Sequence, residues 1–370
     1  MHILITGGAG FIGSHLADDL IACGHRVRAL DNLDPQVHGA ARRRPDYLHR
    51  GVDLRVGDVR DAAAVGAALD GIDAVYHFAS AVGVGQSMYE IERYTSINNV
   101  GTAVLLEQIA RRPVQRLIVA SSMSIYGEGL YSRGDGALVD DVERSVEQLR
   151  LTDWEPHDES GGPLLPVATP EHKRPSLSSI YALSKYDQER MCLMIGRAYG
   201  IPTVALRFFN VFGTRQALSN PYTGVLAIFA SRLLNDKPPM IFEDGLQRRD
   251  FVHVADVAKA CHLALTAEKA AGEVFNVASG ESISVVEVAE QLAAALGKTR
   301  IKPTLTRKFR VGDIRHCFAD IGKAQRILGY RPEIPLADGM AELTNWLDGR
   351  IAIDRVDQAS RELARRGLSA

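Results

Sequence analysis

The sequence predicts an α/β protein, a doubly wound parallel sheet with a smaller mixed α/β lobe on its C-terminal side. Three observations carry this. Short β-rich runs alternate with amphipathic stretches through the first half, the signature of βαβ units. Those runs are almost continuous Val, Ile and Leu, as in strands covered on both faces. A glycine-rich turn, "TGGAGFIG", joins the first run to the first helical pattern. With 370 residues the chain can bury a large core and carry a second lobe.

The elements follow in order. "HILIT" reads as the first strand, with a helix pattern around Ser14 to Ala22 behind it. "RVRAL", "DLRVGD" and "DAVYHFA" read as further strands, then a long helical stretch runs from about Ile91 to Arg111 and "RLIVASS" as another strand follows. From Glu128 to about Ser176 the rhythm breaks into Gly, Pro and charge, with a short helix expected around Val139 to Leu149. Loops of that length are commonly functional, and a flap over a binding pocket is the expectation here. Beyond Thr214 the elements become short and mixed, with a return to the sheet at "DFVHVADV" and "EVFNVAS". The division expected is therefore residues 1–214 with an insertion at 129–176 and a return segment at 251–279. Residues 215–250 and 280–350 form the smaller lobe, and 351–370 a charged helix.

Composition excludes several classes. A net charge of −2 provides no basic field for nucleic acid or acidic membranes. The run Arg42, Arg43, Arg44 beside Pro45 and Asp46 reads as a solvated loop. Cys23, Cys192, Cys261 and Cys317 lie far apart, so neither a disulfide framework nor a metal site is expected. The start "MHILITGGAG" has no leader pattern, and no apolar run approaches a membrane span. A cytoplasmic protein is expected.

Gly7, Gly10 and Gly13 stand at G-x-x-G-x-x-G spacing, directly after a strand and opening a helix. Such glycines allow a tight turn and close backbone approach, and the helix N-terminus offers amides and a positive dipole to a pyrophosphate. The second strand ends at Asp31, where a carboxylate accepts from adenosine ribose hydroxyls and repels a 2′-phosphate. This Rossmann-type pattern favours NAD over NADP. Asp58, ending the third strand, faces either the adenine edge or the next helix as a cap.

Tyr181 and Lys185 in "SSIYALSK" share a helical face four residues apart. A tyrosine titrates near 10, so a working base near neutrality needs about 4 kcal/mol of help. A lysine ammonium within about 4–6 Å and a positive nicotinamide ring would supply it. Ser122 in "VASSMSIYGE" ends a strand where ligands gather and would hydrogen-bond a substrate hydroxyl or carbonyl. Ser121, Ser124 and Tyr126 compete with it by position alone.

The set "TGGAGFIG", Asp31, "HFASAVGVGQS", "NNVGT", "ASSMSIYGE", "YALSK", "RFFNVFG" and "RRDFVHVADV" resembles the extended short-chain dehydrogenase/reductase family, and within it the nucleotide-sugar epimerases and dehydratases. The resemblance runs from Met1 to about Leu347. It implies a catalytic set of Ser122, Tyr181 and Lys185. It implies contacts to NAD from Gly7, Gly10, Phe11, Ile12, Gly13, Asp31, Asn32, Asp58, Val59, Phe78, Ala79, Ser80, Asn98, Tyr181 and Lys185. Nucleotide-sugar contacts would come from Ser122, Ser124, Asn210, Arg249, Arg310 and Asp313, the arginines meeting phosphate oxygens in two-point fashion. The helices near Ile91 to Arg111 and Tyr181 to Tyr199 resemble those that pair in family dimers, so a homodimer is expected.

The implied chemistry is oxidation at C4 of a nucleotide-bound hexose, with Tyr181 taking the hydroxyl proton and Ser122 steadying the carbonyl. Family dehydratases place Asp-Glu after the catalytic threonine and decarboxylases a glutamate at the second position; Met123 and Ser124 stand here. A 4-epimerase remains, with NAD regenerated in place. "DNLDPQVHG", "SNPYTGV" and "GDIRHCFAD" are most similar to the branch acting on dTDP-L-rhamnose, so a dTDP-hexose is preferred to a UDP-hexose. Val82 stands where UDP-galactose epimerases have a lysine at the cofactor. The alternatives are an NAD(P)H-dependent 4-ketoreductase, a UDP-hexose 4-epimerase and a non-enzymatic dinucleotide sensor, which Tyr181→Phe discriminates.

Overall fold

The computed structural model describes residues 1–222, 224–310, 312–350 and 352–369. At its centre is a seven-stranded sheet made of β1 (His2–Thr6), β2 (Arg26–Asp31), β3 (Asp53–Val56), β4 (Ala74–His77), β5 (Arg116–Ser122), β6 (Thr203–Phe208) and β7 (Val274–Val277). The order is β7-β6-β5-β4-β1-β2-β3, and every pairing is parallel. From β1 the chain winds one way through β2 and β3, then crosses to the other side of β1 at β4. That reversal opens a crevice beyond the carboxyl ends of β1 and β4.

Helices α1 (Phe11–Ala22), α2 (Gly101–Arg111), α3 (Ile180–Tyr199) and α4 (Val254–Thr266) cover the sheet. On one face Leu16, Leu20, Val257 and Ala264 pack with Ile3, Ile5 and Val27. On the other, Leu105, Ile109 and Cys192 pack with Leu4, Val75 and Leu117. Each Leu, Ile or Val among these contributes about 1.5–3 kcal/mol of burial. Burial on both faces is why these strands read as unbroken apolar runs.

α3 begins at Ser179, whose side chain accepts from the Ala182 N–H, and ends at Gly200 with φ +65°. These signals fix Tyr181 and Lys185 in its first two turns. Ahead of α2 the chain is helical from Ile91 onward, but Thr95–Val100 is a π-helical turn. Asn98 sits in it and is fully buried.

The insertion is not a structureless loop. Leu130–Ser132 lies between Leu138–Val139 and Leu165–Val167 in an antiparallel sheet. The short helix expected around Val139 to Leu149 is Val146–Arg150, because Val139 pairs with Tyr131 across a turn containing Gly136 at φ +86°. None of residues 129–176 lines the main cleft, where a flap was expected. Its charges face the C-terminal lobe instead. Arg144 bonds Glu128 and Glu243, while the wholly buried Arg315 joins Glu155, Glu243 and Asp244.

The lobe is built on small sheets: Arg248–Arg249 between Ile283–Ser284 and His316–Cys317, and Met240–Ile241 with Thr304–Leu305. Phe229, Leu233, Leu292 and Leu343 fill its core. A last helix, α5 (Val356–Arg365), is tied to the lobe where Arg232 meets Asp354 and Asp357. Among the described residues no helix is long and apolar enough to cross a membrane.

Candidate active site

The crevice at the reversal is a cleft of about 400 Å³. The glycine turn forms one wall. Gly7 has φ +71°, and a Cβ there would stand 2.9 Å from the Ala79 nitrogen; at Gly13 it would stand 2.5 Å from the Gly7 oxygen. Side chains are thus kept out where a ligand's backbone approach is needed. α1 has no side-chain cap at Gly10, and helix geometry leaves the Phe11, Ile12 and Gly13 N–H groups without intrahelical acceptors. Three amides at a dipole's positive end fit a pyrophosphate.

Asp31 closes the end of the cleft beside β2, where adenosine is expected. Its carboxylate is fixed by the Ala9 N–H at 3.0 Å and the Leu33 N–H at 2.9 Å, while it still borders the cleft. Asp58 also borders the cleft, and the Arg60 guanidinium holds its carboxyl down at about 2. The cap of the following helix, Ala62–Ala68, is Asp61, so the alternative role for Asp58 falls away. Asn32, Val59, Phe78, Ala79 and Ser80 line the same cleft. This cradle fits a dinucleotide.

Ser122, Tyr181 and Lys185 meet at the cleft's other end. Ser122 Oγ accepts from the Ser124 N–H at 3.2 Å and the Ser124 hydroxyl at 2.9 Å. Its own proton is thereby left to donate toward the cleft. Burial pushes the Tyr181 phenol up, and its hydrogen bond with Ser122 acts downward. In the protein alone the phenol is therefore held above its ordinary value. Lys185 donates to Gln188 Oε1 at 2.7 Å, and burial brings its ammonium down to about 7. Behind it Gln188 bonds Thr102 Oγ1 at 2.9 Å, and His77, pushed to about 3 by burial, bridges Thr6 and Thr102 at 2.8 Å each. A buried polar chain so links the lysine to the strand that carries the glycine turn.

Not every expected residue reaches the cleft. Ser124 stands behind Ser122 as its donor pair. Ser121 borders the cleft but its hydroxyl is bound to Glu189 at 2.6 Å, and Tyr126 is bound to Asn276 at 2.6 Å, so neither competes with Ser122. Asn98 is a brace, not a wall: it bonds Ser80 and both backbone groups of Ala81, and donates to Ser184 Oγ. Arg249 is taken up by the carbonyls of Arg248, Ile314 and Arg315. Arg310 pairs with Asp313 at 2.7 Å over the Phe242 ring, outside the main cleft. Asn210 does line the cleft, and its buried side-chain oxygen has no partner.

Sequence reasoning missed a polar rim. Gln36 donates to Asn220 at 2.9 Å and Gln86 at 3.1 Å, and Arg93 donates to Gln36 and Asp34, all bordering the cleft. Their only sequence signal was position after the carboxyl ends of β2, β4 and, for Asn220, β6.

A cradle for a dinucleotide joined to a serine, tyrosine and lysine defines a class, and residues 3–145 and 161–278 match the model of the NAD dependent epimerase/dehydratase family. The chain belongs to that family; it is an NAD-dependent sugar-nucleotide epimerase, an isomerase. It is 37% identical to a dTDP-L-rhamnose 4-epimerase of Burkholderia thailandensis over 93% of this chain and 94% of that one. Among solved structures it resembles the UDP-glucose 4-epimerase of Thermus thermophilus in complex with NAD, with TM-score 0.72, 31% identity and coverage of 95% and 100%. It also resembles the UDP-glucuronic acid 4-epimerase of Bacillus cereus in complex with UDP-glucuronic acid and NAD, with TM-score 0.76, 28% identity and coverage of 94% and 99%.

Proposed function

We propose that the protein inverts C4 of a nucleotide-bound hexose through a transient 4-keto sugar, with dTDP-L-rhamnose and dTDP-6-deoxy-L-talose as the pair interconverted. The observation that carries the C4 inversion is the distribution of carboxylates. Among the described residues, the acidic side chains lining the cleft are Asp31, Asp34 and Asp58, all at or just beyond the carboxyl ends of β2 and β3. The cleft that holds Ser122 and Tyr181 is also lined by Val82, Phe208, Phe209 and Asn210, none of them acidic. Elimination of water or loss of carbon dioxide would need an acid or base beside the sugar that this end lacks. The dTDP-sugar preference rests on the Burkholderia relative.

Bound NAD supplies a hydride acceptor that can return the hydride. Tyr181 takes the C4 hydroxyl proton and gives it back, and Ser122 turns its proton from Tyr181 to the developing carbonyl oxygen. Lys185, near half-protonated at neutrality, supplies charge beside the phenol and a partner for the ribose. Asn210, which lines the cleft, would donate from its amide nitrogen to the diphosphate. Arg249, Arg310 and Asp313 would reach the diphosphate only after leaving their present partners.

A second reading, a UDP-hexose epimerase, is favoured by the two solved relatives and opposed by Val82, an exposed aliphatic bordering the cofactor cleft. Incubating purified protein with dTDP-L-rhamnose and no added cofactor tests the proposal. Formation of dTDP-6-deoxy-L-talose supports it with retained NAD; product only on adding NAD supports it with exchangeable cofactor. Turnover of UDP-hexoses alone, or only of 4-keto sugars with NADH, would replace it. A homodimer is also proposed, since Ile91, Val100, Leu183 and Met194 leave apolar surface exposed on the helical run before α2 and on α3; sedimentation would check it.

A further inference from the structure

We propose that Asp19, Cys23 and His262 form a binding site for a divalent transition-metal ion of the zinc class, remote from the catalytic cleft. Asp19 and Cys23 lie four residues apart at the C-terminal end of α1, so they share a face. α4 crosses that face and brings His262 to it. His262 Nδ1 is 2.7 Å from Asp19 Oδ2 and 3.7 Å from Cys23 Sγ, and the three donor atoms all lie within 4.8 Å of one another. Cysteine spacing alone could not show this, because His262 is 239 residues from Cys23.

The convergence identifies the chemistry. Carboxylate and thiol approach the same imidazole nitrogen, so the group is not a nucleophile relay, in which each ring nitrogen serves a different partner. Thiolate, imidazole and carboxylate together suit zinc-class ions. Bonds of about 2.0–2.3 Å at tetrahedral angles place donors about 3.3–3.7 Å apart. The sulfur–nitrogen distance already meets that, and the carboxylate needs to swing out by less than about 1 Å. His25, whose ring centroid is 5.9 Å from that of His262, or a water could complete the set. A cavity of about 430 Å³ bordered by Asp19, Lys259, His262 and Glu333 gives solvent access. At about 1.5 Å per residue, Cys23 lies about 20 Å along α1 from Gly10. A bound ion would clamp α1 to α4 without entering the reaction.

Cys23 is the exposed thiol, while Cys192, Cys261 and Cys317 are buried, which makes cobalt(II) an informative probe. Untagged, fully reduced protein titrated with Co²⁺ should develop thiolate-to-metal charge-transfer absorption saturating at one equivalent. The band should vanish in Cys23→Ser, and affinity should fall at least about tenfold in His262→Ala. Zn²⁺ should displace the cobalt and raise Tm by roughly 3 °C at a hundredfold excess over Kd. Absence of the band, its survival in Cys23→Ser, or equal affinity in His262→Ala would overturn the site and leave an ordinary surface aspartate–histidine pair.

Discussion

Replacing Lys185 with Met should abolish turnover and yet make the protein more stable at neutral pH. Lys185 is 3% exposed, and burial holds its ammonium at about 7. A free lysine titrates near 10.4, so at about 1.36 kcal/mol per pH unit the buried charge costs roughly 5 kcal/mol. At pH 7, where about half the native molecules have shed the proton, the cost is about 4 kcal/mol. Methionine removes that cost but leaves Gln188 Oε1, now 2.7 Å from the ammonium, without a donor. The orphaned oxygen costs about 1–3 kcal/mol, so a net gain of roughly 1–3 kcal/mol remains. The sign with pH follows from the folded value lying below the unfolded one. Between about pH 7 and 10 the unfolded chain holds a proton that the native state lacks, so raising pH stabilises the wild type. The variant lacks this term, and its advantage should shrink by about 3 kcal/mol between about pH 7 and 9.5. Urea unfolding of nucleotide-free protein across that range is the assay. A variant less stable at pH 7, or an advantage unchanged by pH, would refute the buried, half-neutral lysine.

Tyr181→Phe should lower turnover by about 10²–10⁴-fold with bound NAD unchanged, measured by product formation beside cofactor content; loss of NAD along with activity would assign Tyr181 to binding instead. Gly13→Ala places a carbon 2.5 Å from the Gly7 oxygen, so the purified variant should carry no dinucleotide; unchanged occupancy on release and absorbance would contradict the cradle. Asp31→Ser should raise the affinity for NADP relative to NAD, read by titration of stripped protein. Arg315→Met should cost about 3–5 kcal/mol by breaking a buried network, leaving Glu243 to Arg144 alone and Asp244 without its arginine, with KM unchanged for whatever fraction remains folded.

The main sheet and the cofactor end were legible because their signals are local. A strand, a glycine turn and a helix start are adjacent in sequence, and Asp31 follows at the next strand's end. Tyr181 and Lys185 were legible because one helical turn brings them together. What could not be read depends on distant partners. Arg249 looked free for phosphate, but carbonyls from Ile314 and Arg315, some 65 residues on, occupy it. Ser124 looked like a substrate contact, and only the turn after β5 shows that it serves Ser122. The insertion's Gly, Pro and charge suggested a flap; Arg144 and Glu155 find partners in the lobe that no local pattern announces.

The π-helical turn at Thr95–Val100 has a consequence for how this chain can change length. Such a turn holds one residue more than an α-helical one, so deleting Ser96 would regularise the helix. The flanking segments would keep about their present alignment, because the extra residue is absorbed within the turn, but the residues of the turn itself would be re-aimed. Asn98 would lose its hold on Ala81 and Ser184, and with it the spacing between the loop after β4 and the helix that carries Tyr181 and Lys185. Substitutions here are cheaper than a one-residue shortening. A redesign that idealised this helix for stability would disconnect the two halves of the site.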